Sequence, residues 1–115
     1  MNHTINRCVI LIRPKKRYYE WGNNLEKTEE QHVEEGSFGN AYLLKELDSG
    51  TKEEVRKALK KHWRRIADEE FVSWWTVEDD WPQLKSIKDF ELYFEWNFTE
   101  IVFDLENTDL IREEF

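Results

Sequence analysis

Five consecutive apolar residues, Cys8-Val9-Ile10-Leu11-Ile12, are followed within two positions by Pro14. A short β-branched and apolar run closed by a proline reads as a strand, here residues 7–13. The run does not alternate, so it is expected to be covered on both faces and to lie at the centre of a sheet. Pro14 has no N–H for a ladder and should end the strand.

The remaining segments sort themselves around that strand. Tyr18, Trp21 and Leu25 fall on one helical face and predict a first helix over 16–31, which Gly22 weakens. The acidic stretch Glu26 to Gly39 reads as a fraying helix end followed by a loop, with Gly36 and Gly39 as breakers. Residues 40–47, with Ala41, Tyr42, Leu43 and Leu44, read as a second strand that turns at Asp48-Ser49-Gly50. Thr51 and Glu54 match a capping box. It opens a helix over 51–72 whose apolar stripe is Val55, Leu59, Trp63 and Ile66. Glu53 with Lys57, and Arg64 with Asp68, are spaced to pair across one turn. Asp68, Glu69 and Glu70 oppose the helix dipole if the helix stops near them, so either it runs on or cations hold them.

Residues 73–85 read as an ordered loop. A second capping box, Ser86 with Asp89, opens a third helix carrying Ile87, Phe90, Tyr93 and Phe94. Alternation from Phe98 to Leu105 predicts a closing strand with one face packed and the other partly wet.

The order is therefore β-α-β-α-α-β. It implies an α/β arrangement of the α+β two-layer kind, a small sheet of about three strands with helices packed on it. Strands separated by helices point to crossover connections. The first strand is the expected centre and the charged last strand a guarded edge. An edge strand also offers a surface for self-association. At 115 residues the chain is the size of one domain, spanning 1–115.

The formal net charge is −8, which disfavours nucleic acid and anionic membranes as partners and favours a basic protein. No apolar stretch has the length to span a bilayer, and the N-terminus lacks a signal-peptide core. Cys8 is the only cysteine, which fits a reducing, cytoplasmic setting. Its place in the apolar run marks it as a buried small hydrophobe rather than a reactive thiol.

Chemistry could reside in few places. Trp74, Trp75 and Trp81 interleave with Glu78, Asp79 and Asp80, below Glu69 and Glu70. Indoles are enriched at binding hot spots, and carboxylates beside them can engage Arg or Lys. The structural alternative is that the indoles cover helix ends and the acids are merely solvated. Arg13, Lys15, Lys16 and Arg17 precede Tyr18 and Tyr19, a pattern able to hold one phosphate-bearing ligand where a strand meets a helix. No glycine there lets a phosphate reach the backbone. His3, His32 and His62 lie far apart, and Glu78, Asp79 and Asp80 lack calcium-loop spacing, so no metal or cofactor is expected. No nucleophile elbow, phosphate loop or Cys–His signature is present.

Arg13-Pro14-Lys15 after the strand, Trp21, and Ala41 to Leu44 resemble a family of small uncharacterised bacterial proteins. So do His62-Trp63 through Glu69, Trp74-Trp75-Thr76, Trp81-Pro82, Glu95-Trp96 and Val102 to Leu105. The resemblance covers most of the chain. It implies a compact bacterial cytosolic domain and carries no catalytic residue.

Two functions of different class follow. The first is a non-catalytic acidic module, immunity- or inhibitor-like, that engages a basic partner through the indole and acid cluster. The second is a small-ligand-binding or enzymatic domain with a pocket near Arg13, Lys15 and Tyr18.

Overall fold

The computed structural model describes residues 3–25 and 39–114. In order they form β1 (His3–Thr4), β2 (Arg7–Pro14), α1 (Lys16–Asn24), β3 (Asn40–Lys45), α2 (Lys52–Trp74), a 3-10 turn (Glu78–Asp80), α3 (Ile87–Tyr93), β4 (Phe94–Thr99) and β5 (Phe103–Asp104). The expected α+β arrangement is present, with three helices and a three-stranded sheet. A short β1–β5 pair stands beside it.

The apolar run of β2 does occupy the centre of the sheet, in the order β3-β2-β4, antiparallel on both sides. It is covered on one face only. Cys8, Ile10 and Ile12 are fully buried, whereas Leu11 is 37% and its neighbour-strand residue Leu43 is 53% exposed. All the helices lie beneath the Cys8–Ile12 side, where the core gathers. Pro14 still pairs with Phe94 at the strand's end, and Lys15 supplies the next N–H, to the Tyr93 carbonyl at 2.8 Å.

Crossover connection holds for one of the two links. β3 follows α1 yet runs antiparallel to β2. Asn40 lies opposite Ile12, so the chain re-enters the sheet beside the end of β2 that it left and runs back along it. The second link, through α2 and α3, crosses β2 to join β3 with β4, which run the same way.

Element ends differ from expectation where side chains from elsewhere decide them. α1 stops at Asn24, with Leu25 already extended. The rest of the expected first helix and the acidic loop Glu29 to Glu35 lie outside the described residues. Gly22, a weak point in a helix by propensity, is where α1 and α2 touch. A Cβ there would sit 2.7 Å from Trp74 Nε1, and that indole donates to the Gly22 carbonyl at 3.1 Å.

α2 begins at its cap, with Thr51 Oγ1 accepting from the Glu54 N–H. It runs past Asp68, Glu69 and Glu70 to Trp74, so those acids are not at its end. Neither expected one-turn pair forms. Among the described residues the ion pair within 4 Å is Arg56 with Glu91, and Arg64 stacks over the Trp63 ring at 4.5 Å instead.

The third helix ends at Tyr93, and Phe94 opens β4, four residues before the expected strand. Phe94, Trp96 and Phe98 then alternate inward, each less exposed than Glu95, Asn97 and Thr99 between them. The closing strand breaks after Thr99 and resumes only at Phe103–Asp104. There it pairs with β1, so residues flanking β2 and β4 extend the ribbon beyond the three-stranded sheet.

The core is aromatic. Phe71, 2% exposed, meets Trp21, Phe94, Tyr18, Tyr93 and Trp81 at centroid separations of 4.9 to 6.2 Å. Such pairs add about 0.5–1.5 kcal/mol each beyond the area they bury. That core fixes the end of α2, from which the candidate surface projects.

Candidate interaction surface

α2 ends where the Trp75 N–H returns to the Phe71 carbonyl at 2.9 Å. The chain then folds into the 3-10 turn, held by Asp80 N–H to the Val77 carbonyl and Trp81 N–H to the Glu78 carbonyl, both at 3.0 Å. Three indoles secure this turn. Trp75 Nε1 donates to Asp80 Oδ2 at 2.9 Å, Trp21 Nε1 to the Asp80 carbonyl at 2.9 Å, and Trp81 Nε1 to the Trp75 carbonyl at 2.7 Å. Trp74 turns the other way, to Gly22 of α1.

The sequence cluster thus divides in two. Asp80 accepts from Trp75 through Oδ2 and from Trp21 through its backbone carbonyl. Glu78 and Asp79 stay exposed on the turn, while Trp74, Trp75 and Trp81 are each half-buried. Because their N–H groups are satisfied internally, what Trp75 and Trp81 still offer to a partner is ring surface. Beside them lies a cleft of about 260 Å³ between α2 and the turn, whose walls include Trp63, Arg64, Asp68, Phe71, Glu78 and Trp81.

The second sequence group does not converge. Tyr18 is buried, and its hydroxyl donates to the Glu70 carbonyl at 2.7 Å. Arg13 and Lys15 are exposed on the outside. Arg13 lies opposite Glu95 across the ladder, and Lys15 Nζ donates to the Glu91 carbonyl at 2.6 Å. None of the three lines the cleft beside the turn or a larger one between β3 and α2. Among the described residues no group of three or more His, Cys, Asp or Glu is placed to hold a metal ion.

One residue that sequence reasoning grouped with the solvated acids is buried. Glu70 is 2% exposed. Its Oε2 accepts from Tyr42 Oη at 2.5 Å and from Asn40 Nδ2 at 2.6 Å, both on β3. Loss of hydration there pushes the Tyr42 phenol well above its ordinary range, and the Glu70 carboxylate adds to the shift. Burial does the same to Tyr18. The signal was available: Glu70 follows Trp63, Ile66 and Ala67 at helical spacing, and so belongs to the stripe that α2 turns inward.

A larger cleft of about 620 Å³ opens between β3 and α2, where Tyr42, His62, Arg65 and Glu69 meet Glu113 and Glu114 of the tail. Partial burial, with Lys61 and Arg65 nearby, holds the His62 imidazole below its usual value. Cys8 is enclosed beneath the sheet, and burial pushes its thiol up.

Compared with protein-family models, curated proteins and solved structures, the chain matches none. No described helix is long and apolar enough to cross a membrane.

Proposed function

We propose that this chain is a non-catalytic, cytoplasmic regulatory module that binds a basic partner protein through the turn after α2, in the manner of an inhibitor or immunity protein. The observation that carries this reading is the pairing of exposed Glu78 and Asp79 with half-buried Trp75 and Trp81 on a turn pinned by indole hydrogen bonds. A turn already fixed loses little further freedom on binding. Ring surface next to carboxylates suits Arg and Lys side chains, through cation–π contact and ion pairing. The net charge of −8 would speed encounter with a basic surface.

The test is affinity capture from the source lysate with the wild-type chain and with the Glu78→Lys/Asp79→Lys double variant. A Glu20→Lys/Glu46→Lys variant, of equal charge change on exposed residues elsewhere, is the control. The reading expects a basic protein retained by the wild type and the control at low salt, released at high salt, and lost in the double variant. Equal capture by the two charge-reversed chains would remove this surface from the function.

A second reading, small-ligand binding, is favoured by the larger cleft alone, which brings an imidazole, a guanidinium, a phenol and carboxylates together. A ligand screen read as a thermal shift, repeated on Arg65→Ala, decides it: a hit lost in the variant supports the cleft, and a screen with none rejects it.

A further inference from the structure

The β1–β5 ribbon and the tail that follows it carry apolar side chains that the fold leaves in water. Ile101 is 57% exposed, Phe103 58%, Leu105 77%, Leu110 69% and Ile111 80%. These are five of the ten large hydrophobics exposed in the described chain, gathered within eleven residues. None of them belongs to the core cluster or packs against it. Isolated exposed leucines are ordinary on a protein surface, whereas a run of this kind marks an interaction site.

The ribbon is also too slight to stand unaided. Each of its strands has two residues, paired His3 with Asp104 and Thr4 with Phe103. One flanking hydrogen bond, from the Ile5 N–H to the Val102 carbonyl at 3.1 Å, extends it. Two-stranded pairs are marginal in water without a covered apolar face. Ile101, Phe103 and Leu105 fall at every second position, the spacing that sets side chains on one face of extended chain. Among the described residues, β1 and β5 pair only with each other, so both outer edges are open.

We infer that this ribbon and tail form the interface of a homodimer, with Phe103 and Leu105 at its centre. Each of the five side chains offers on the order of 100 Å² of apolar surface. Two copies would then hide roughly 1,000 Å² from these side chains alone, the lower bound for a specific interface. A two-fold axis lets one apolar face cover its own copy and lets a free strand edge pair with its equivalent. Charge works against the pairing and sets its salt dependence. Glu100, Asp104, Glu106 and Asp109 flank the apolar residues on each copy, so like charges oppose association and apolar area must supply the cohesion. Self-association of two chains each carrying −8 should therefore strengthen as salt screens their repulsion. The turn after α2 should respond to salt in the opposite sense.

Sedimentation equilibrium or light scattering at micromolar protein tests the inference. The wild type should show twice the 14.1 kDa chain mass, with tighter association at higher salt. Phe103→Glu and Leu105→Glu should each raise the dimer Kd at least about tenfold, a charge having been placed in an apolar interface. Both side chains lie outside the core, so circular dichroism of the monomeric variants should match the wild type. A wild-type mass of 14.1 kDa at both salt concentrations overturns the inference. So does a dimer that both variants leave intact, because its interface would lie elsewhere.

Discussion

Substitution of Gly22 by alanine sets two effects of opposite sign against each other. Gly22 lies inside α1, and alanine is favoured over glycine in a helix interior by about 1 kcal/mol. On propensity alone the variant would be more stable. The added Cβ, however, would stand 2.7 Å from Trp74 Nε1 and 3.0 Å from Cδ1. Carbon atoms prefer roughly 3.5–4.0 Å, so the indole must retreat by nearly 1 Å. That loosens its hydrogen bond to the Gly22 carbonyl, worth about 1 kcal/mol. Overpacking adds about 1–3 kcal/mol. The balance is a destabilisation of about 1–3 kcal/mol. Urea unfolding of the wild type, Gly22→Ala, Trp74→Ala and the double variant measures it. With the indole gone the alanine should become favourable by about 1 kcal/mol, leaving a coupling of several kcal/mol in the cycle. If Gly22→Ala stabilises the intact chain, or acts equally in both backgrounds, the proposed α1–α2 contact is wrong.

Other expectations follow from the same geometry. Glu70→Ala strands the Tyr42 hydroxyl and Asn40 amide and should cost about 2–4 kcal/mol in chemical denaturation. Tyr42→Phe, which removes only one of the two donors to that carboxylate, should cost less. The His62 imidazole has its pKa lowered in the folded chain relative to about 6.5 unfolded. The unfolded state therefore binds more protons as pH falls below 6.5, and the stability that neutral His62 contributes is lost on acidification through the folded pKa. His62→Gln should flatten the stability–pH curve below 6.5 and leave it unchanged above pH 7.5. Tyr18 and Tyr42 are raised above the ordinary phenol value of 10.0. Their ionisation, followed by ultraviolet absorbance, should wait for unfolding, and stability should fall as pH rises past 10.

Patterns confined to one element were legible before any coordinates. The central place of β2, the Thr51 and Ser86 N-caps and the stripe of α2 stand as read, although β2 is covered on one face and Glu54 and Asp89 accept from the Ser49 and Lys85 N–H groups rather than from the cap residues. Features that depend on distant partners were not. Gly22 meets Trp74, and Glu70 meets Asn40 and Tyr42, across 52, 30 and 28 residues of sequence. The junction at Phe94 escaped because Phe90, Tyr93 and Phe94 fit helical spacing while Phe94, Trp96 and Phe98 fit strand spacing. A single aromatic cluster satisfied both periods, and pairing with β2 chose between them. The segment read as an ordered loop, residues 73–85, holds the end of α2 and the 3-10 turn Glu78–Asp80. Which carboxylate would accept from an indole was not legible: Trp75 donates to Asp80, while Trp21 and Trp81 donate to backbone carbonyls. Arg13, Lys15 and Tyr18 looked like one group only because they are neighbours in sequence. Tyr18 lies on the inward side of α1, and the cations do not.

The central claim is that Glu78 and Asp79, framed by Trp75 and Trp81, hold a basic partner. The most direct measurement is the affinity of the captured partner for the wild-type chain and for Glu78→Lys/Asp79→Lys, each at 50 and 200 mM salt, roughly twofold apart in Debye length. The account predicts wild-type binding that weakens with salt and is reduced more than about tenfold by the substitutions. Equal, salt-insensitive affinity of the two chains would contradict it.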